Sequence, residues 1–181
     1  NRKDVVVHSR NGYFAHSPEL RAAGLQTFEV PLLKAISEGH VSDKVKFLAG
    51  TVLLKPSAVG TNVAVLVEVP LHGLQSKDEP AKKMLDVHVA VASLLKNSNG
   101  DVVQKLAHDR SLVVTPAQFQ LGHFVEKMTA TVPPGHYSLE SAVMDQESGN
   151  IGMQRSEFTI APSAGKGVGV SSLAADRKSV V

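Results

Sequence analysis

Thr61-Asn62-Val63-Ala64-Val65-Leu66-Val67-Glu68-Val69 is the stretch on which the fold turns. Valine holds every odd position from 63 to 69, and Asn62, Ala64, Leu66 and Glu68 hold the even ones. A period of two belongs to a pleated strand, whose successive side chains point to opposite faces. β-Branched residues also suit that surface better than a helix. The same alternation recurs on both sides of this run. Upstream, 46–54 sets Phe47, Ala49, Thr51 and Leu53 against Leu48, Val52 and Leu54. Downstream, 84–95 sets Val87, Val89 and Val91 against His88, Ala90 and Ala92. Residues 122–132 place Phe124, Met128, Ala130 and Val132 opposite Val125, Lys127, Thr129 and Thr131. Residues 136–144 place Tyr137, Leu139, Ser141 and Val143 opposite Ser138, Glu140, Ala142 and Met144. Residues 151–160 return as another strand, and 168–173 adds one at an edge.

Turn chemistry punctuates these runs. Asn97-Ser98-Asn99-Gly100 is a hairpin signal, because Asn and Gly reach positive φ at little cost, and it joins 84–96 to 101–108. Pro133-Pro134-Gly135 forces a turn, and Gln146 to Asn150 makes another. Lys55-Pro56-Ser57 with Gly60, and the polar stretch Gln75 to Lys83, separate the earlier strands. Thr115-Pro116-Ala117-Gln118 reads as a single helical turn. Each sheet has one apolar face to bury. The expected fold is therefore all-β, an antiparallel Ig-like two-sheet sandwich of about seven or eight strands.

Before residue 45 the pattern differs. Asp4-Val5-Val6-Val7-His8 reads as a short strand with a turn at Asn11-Gly12. Ser17-Pro18-Glu19 is a helix start, and 18–38 is helical in parts, with Pro31 breaking it or opening a second helix. The expected division is 1–16 as the tail of an upstream domain, 17–41 as a partly helical linker, 42–173 as the sandwich and 174–181 as a non-native tail. The ending Asp176-Arg177-Lys178-Ser179-Val180-Val181 is similar to a translated sequencing adapter, and the chain opens on Asn1. Both ends are thus read as the ends of a fragment.

Composition narrows the function classes. The chain has 181 residues, 43% apolar and 20% charged, with a formal net charge of +2. It has no cysteine, so it has no disulfide, thiolate metal site or cysteine nucleophile. It carries no basic block interleaved with aromatics, which disfavours nucleic acid and anionic membranes as partners. No apolar run approaches the roughly 18 residues of a membrane span. Trp is absent, Tyr occurs twice and Phe six times, a sparse supply for gripping sugars by ring stacking.

The candidate chemistry is dispersed. His8, His16, His40, His72, His88, His108, His123 and His136 never stand three to five residues apart, so no local two-histidine ligand pair exists. His88 is expected to point away from the valine face. Gly165-Lys166-Gly167-Val168-Gly169 lacks the spacing of a phosphate loop and reads as a linker. Asp43, Asp78, Glu79, Asp86, Asp101, Asp109, Asp145 and Glu147 are placed mostly in turns. Asp145-Gln146-Glu147 is expected to cap its own turn rather than hold calcium. No Gly-x-Ser-x-Gly elbow exposes a nucleophile. No catalytic, cofactor-binding or metal residue is expected, and the binding residues stay open. The loops 70–83 and 109–121, read as the longest connections, are where recognition is first sought.

Two motifs carry a resemblance. Arg2 to Ala15, with Arg10-Asn11-Gly12-Tyr13-Phe14, resembles the closing strand of the von Willebrand factor A-related domain of secreted acidobacterial proteins. Val132-Pro133-Pro134-Gly135-His136-Tyr137-Ser138-Leu139, followed by Asp145, Ser148 and Gly149, resembles the strand pair of the Ig-like or transthyretin-like domain that follows it. Ser171-Ser172-Leu173 fits the final strand of that family. His136 stands where the family more often has Arg, and the metal loop of the upstream domain lies outside this chain. The resemblance implies a periplasmic or extracellular protein. The expected function is a non-catalytic accessory domain whose partner is protein and which needs no cofactor. The alternative is a carbohydrate-binding module, and a hydrolase stands third.

Overall fold

The computed structural model describes residues 24–57, 59–79 and 83–162. Strand β1 is Ser42–Asp43, β2 Leu48–Ser57, β3 Gly60–Pro70 and β4 Lys77–Glu79. Strand β5 is Met84–Asn97, β6 Val102–Val114, β7 His123–Val132, β8 Gly135–Asp145 and β9 Ile151–Ile160. Helix α1 spans Glu29–Glu38 and α2 spans Pro116–Leu121. Every paired strand is antiparallel.

The smaller sheet has the order β2-β3-β7 and the larger runs β1-β9-β8-β5. Beyond β5 the larger sheet continues into β6, which pairs with Leu85 to Lys96. The other side of β5 is shared, with β4 on 84–86 and β8 on 89–97. This is the Ig-like two-sheet arrangement that the alternation predicts. The described residues hold nine strands, because β1 and β4, of two and three residues, are too short to show a period. The expected strand at 168–173 and the motif at 2–15 lie outside the described residues.

The core follows the valine faces. Val63, Val65, Val67 and Val69 of β3 are each 0% exposed and meet Val87, Val89 and Val91 of β5 across the sandwich. Phe124, Met128, Val132, Leu139, Val143 and Ile160 complete that layer. Two serines also lie on it. Ser93 and Ser141 oppose one another on β5 and β8, and their hydroxyls share a 2.8 Å hydrogen bond. Tyr137 enters β8 through Pro133-Pro134-Gly135, and its hydroxyl donates back to the Pro133 carbonyl at 2.7 Å. That closure matches the tyrosine corner of Ig-like sandwiches. Burial raises the Tyr137 hydroxyl above its ordinary pKa.

The turns form as their residues dictate. Gly100 takes φ 84°. Asn97 Oδ1 accepts the amides of Asn99 and Asp101, so the Asn-x-Asn-Gly turn is held by its own side chain. Thr115 caps α2 by a reciprocal bond with Gln118.

Helix α1 falls within the stretch expected to be a linker, and Pro31 lies in its first turn, where no amide is needed. Leu32 and Ile36 press onto Ala90, Ala92, Leu94, Ala142 and Met144, the outer face of the larger sheet. The Lys105 ammonium donates to both Glu29 oxygens, at 2.7 and 2.8 Å, and pins the helix to β6. The helix is a third layer on the sandwich.

Candidate functional site

Charged side chains gather first where the two sheets meet at β6 and β7. Glu126 points inward on β7, at the parity of Phe124 and Met128, and is buried. Arg110 on β6 donates from Nε to Glu126 at 2.9 Å and from a terminal nitrogen at 3.2 Å. His108 Nδ1 lies 2.6 Å from the same carboxylate. Burial alone pushes the Glu126 carboxyl up. The hydrogen bonds from Arg110 and His108, together with their charge, outweigh burial and hold it below the ordinary carboxylate range. The same pairing raises Arg110. Inward charges are a known way to blunt a strand edge, and here they close one side of the sandwich.

The other histidines are scattered over the surface. His88 lies on the outer face of β5, as expected, with Nε2 2.8 Å from Asp109 on β6. Ser111 is the Cα partner of His88, but its hydroxyl donates to Asp86 at 3.0 Å. His123 Nδ1 lies 2.5 Å from Glu68, and His136 Nδ1 lies 2.8 Å from the Thr159 hydroxyl. His40 and His72 are exposed, while His8 and His16 lie outside the described residues. No group of three or more His, Asp or Glu side chains that could hold a metal occurs among the described residues.

Asp86 and Asp109 sit in β5 and β6, not in turns. The paired edges of those strands leave room for polar residues on the outer face, which alternation alone cannot distinguish from a turn. Asp43 and Asp78 are exposed in β1 and β4, Asp101 lies in the hairpin, and Glu147 pairs with Lys77 at 2.7 Å, which raises Lys77. Asp145 caps its turn as the sequence suggests, accepting the Glu147 amide at 3.1 Å and the Ser148 hydroxyl at 2.5 Å. It also accepts the Gln75 amide at 3.0 Å, a tie across the molecule that no local motif reveals. The linker-like Gly165 to Gly169 is outside the described residues.

Two concavities are shallow. One, of about 560 Å³, lies at the end of the outer face left bare by α1. Its rim holds Lys96, His136, Arg155 and Glu157. Lys96 and Arg155 both turn to Glu140, so its cations are neutralised locally. Tyr137 and Phe158 stack there at 5.5 Å, but Tyr137 is only 5% exposed and belongs to the core. The other concavity lies beside Phe28, Pro31 and Met144.

The loops expected to lead recognition are not both loops. Residues 109–114 continue β6, because Asp109 to Val114 pair with Leu85 to Ala90. What remains, 115–122, is short and folds Phe119 toward the core. The Leu71 amide bonds the Gly122 carbonyl at 3.1 Å, so the two crossovers brace each other.

A different feature stands out along β2. Its residues 48–54, Leu-Ala-Gly-Thr-Val-Leu-Leu, contain no charge and no proline. The strand pairs with β3 on one side and with no other strand among the described residues. On β2 the charge and the proline, Lys55 and Pro56, come only at the far end, beside a register shift, whereas other border strands carry charges within their length: Lys105 to Arg110 on β6, Glu126 and Lys127 on β7, Arg155 and Glu157 on β9. β9 is also covered by β1 at Gly152 and Met153. Leu48 is 68% exposed, and Val125 lies on the same outer face at 57%. Gly50 faces open space, since a Cβ there meets nothing within 4 Å.

No protein-family model and no curated protein matches the chain. Among solved structures, it is similar to the Bacteroides uniformis beta-glucuronidase at 10% identity and a TM-score of 0.38, over 62% of this chain and 13% of that one. The chain thus spans a small part of that enzyme's length. It is also similar to Northeast Structural Genomics Consortium target SoR45 at 7% identity and a TM-score of 0.36, over 75% of this chain and 100% of that one. Likenesses this faint carry no functional argument. None of the described helices is long and apolar enough to cross a membrane.

Proposed function

We propose that this chain is a non-catalytic accessory domain that binds another polypeptide along the β2 edge. The observation that carries the reading is the charge-free run 48–54 on a border strand, in a sandwich whose other borders are charged. A bare strand edge offers a row of amides and carbonyls, and an incoming strand gains affinity from them and specificity from alternate side chains. The half-buried Val52 and Leu54 and the exposed Leu48 add apolar surface beside that row. The resemblance of the 2–15 and 132–149 motifs to the von Willebrand factor A-related proteins supports a periplasmic or extracellular setting for such a module.

The test is amide hydrogen exchange with and without a library of extended peptides. Binding at the edge slows exchange within 48–54 and leaves β6 and β7 unchanged. Protection spread over the outer groove near Lys96 and Arg155 counts against the reading. Binding on a glycan array without any peptide effect turns the assignment to carbohydrate.

A further inference from the structure

Resting on that reading, we infer that the β2 edge selects an extended apolar segment flanked by acidic residues. The run 48–54 lies between Lys46 and Lys55, both exposed, with Lys44 beside the first. None of the three makes an ion pair with a described residue. At a strand's rise of roughly 3.3 Å per residue the nine steps from Lys46 to Lys55 separate their backbones by at most about 30 Å. The edge is thus an apolar bar with a cation at each end. An incoming strand meets that pattern best with apolar or small residues in its middle and a carboxylate at each end.

The same arrangement argues against a second copy of this chain. Antiparallel self-pairing centred on Thr51 brings Lys46 of each copy beside Lys55 of the other, at both ends of the contact. Like charges at neighbouring cross-strand positions oppose pairing. The lysines therefore discriminate, repelling the domain's own edge and attracting an acid-flanked one.

Fluorescence anisotropy with two synthetic peptides on the full chain tests this. Both alternate threonine and valine. One carries aspartates nine positions apart, matching Lys46 and Lys55, and the other carries lysines there. The acid-flanked peptide is expected to bind about tenfold tighter, with a preference that shrinks in high salt. The double variant Lys46→Glu, Lys55→Glu is expected to reverse the preference, with protection of 48–54 retained. Equal affinity for the two peptides overturns the charge selection and leaves edge binding standing. Failure of both peptides on the full chain and on a chain ending at residue 162 overturns edge binding itself. Binding only to the shortened chain assigns the edge to the chain's own C-terminal segment and overturns the inference. Concentration-dependent dimers with protected 48–54 amides overturn it in favour of self-pairing.

Discussion

Ser93 and Ser141 stand in an otherwise apolar stretch of the core, between Val91 and Leu95 on β5 and between Leu139 and Val143 on β8, both at 1% exposure or less. Their shared hydrogen bond makes the burial tolerable, since an unpaired buried hydroxyl costs about 1–3 kcal/mol. Ser93→Ala strands the Ser141 hydroxyl, and Ser141→Ala strands its partner. Each single change is expected to cost about 1–2 kcal/mol, and the double change about 1 kcal/mol less than their sum. Urea unfolding of the four proteins reads the difference, and strict additivity counts against coupling. Gly152 is a residue-scale constraint of another kind. A Cβ built there falls 2.0 Å from the Val45 carbonyl oxygen, where the chain leaves β1 for the other sheet. Gly152→Ala must push that crossing away and is expected to cost about 1–3 kcal/mol. Gly50→Ala, with open space around it, should stay within about 0.5 kcal/mol of the parent in the same measurement.

At the scale of elements, the joint between β6 and β7 depends on one carboxylate. Glu126 titrates below its ordinary value near 4.5. A depressed carboxyl contributes stability that is complete above the unfolded value and is lost as pH falls through the folded one. Unfolding midpoints measured from pH 7 down to pH 3 should therefore fall more steeply for the parent than for Glu126→Gln, which starts lower and changes less. Parallel curves would remove the cluster from the acid response. Helix α1 makes a second element-scale case, because Leu32 is 0% exposed against the sheet. Leu32→Ala is expected to cost about 2–5 kcal/mol, and a loss below about 0.5 kcal/mol would return the helix to the role of a linker. The sequence was most legible where strands alternate cleanly, and 151–160 was bounded to the residue. It was least legible where an element obeys another rule. Glu126 breaks the apolar face of β7, so the alternation of Phe124, Met128 and Val132 passes over it. The α1 stripe is only Leu32 and Ile36 with Glu29, too narrow to separate a packed layer from a connector. The β2 edge was hidden differently. Its run was readable as a strand, but its place at a border depends on pairing order, which no local pattern encodes.

At the scale of the whole molecule the two sides of the sandwich are unlike. The β6–β7 side is closed by Glu126, Arg110 and His108. On the opposite side β2 approaches β9 near its start, where Gln154 Nε2 donates to the Phe47 carbonyl at 2.5 Å. Beyond that point the described border of the smaller sheet carries no charge until Lys55, near the end of β2. On heating, segments of partly unfolded chains should add to folded domains through β2 rather than through β6 or β7, because an apolar edge templates strand addition while Lys46 and Lys55 oppose pairing of two folded β2 edges. Gly50→Lys places a charge in the middle of the run, at a site where a side chain meets no neighbour. Its unfolding temperature should stay within about 2 °C of the parent. Light scattering during a slow thermal ramp should nonetheless develop later and more weakly. The matching control adds a lysine to an already charged border, Ser156→Lys on β9, and should leave aggregation unchanged. If both lysines delay scattering equally, net charge governs association; if Gly50→Lys alone does, the bare edge governs it, and the same surface is the one a natural partner has to cover.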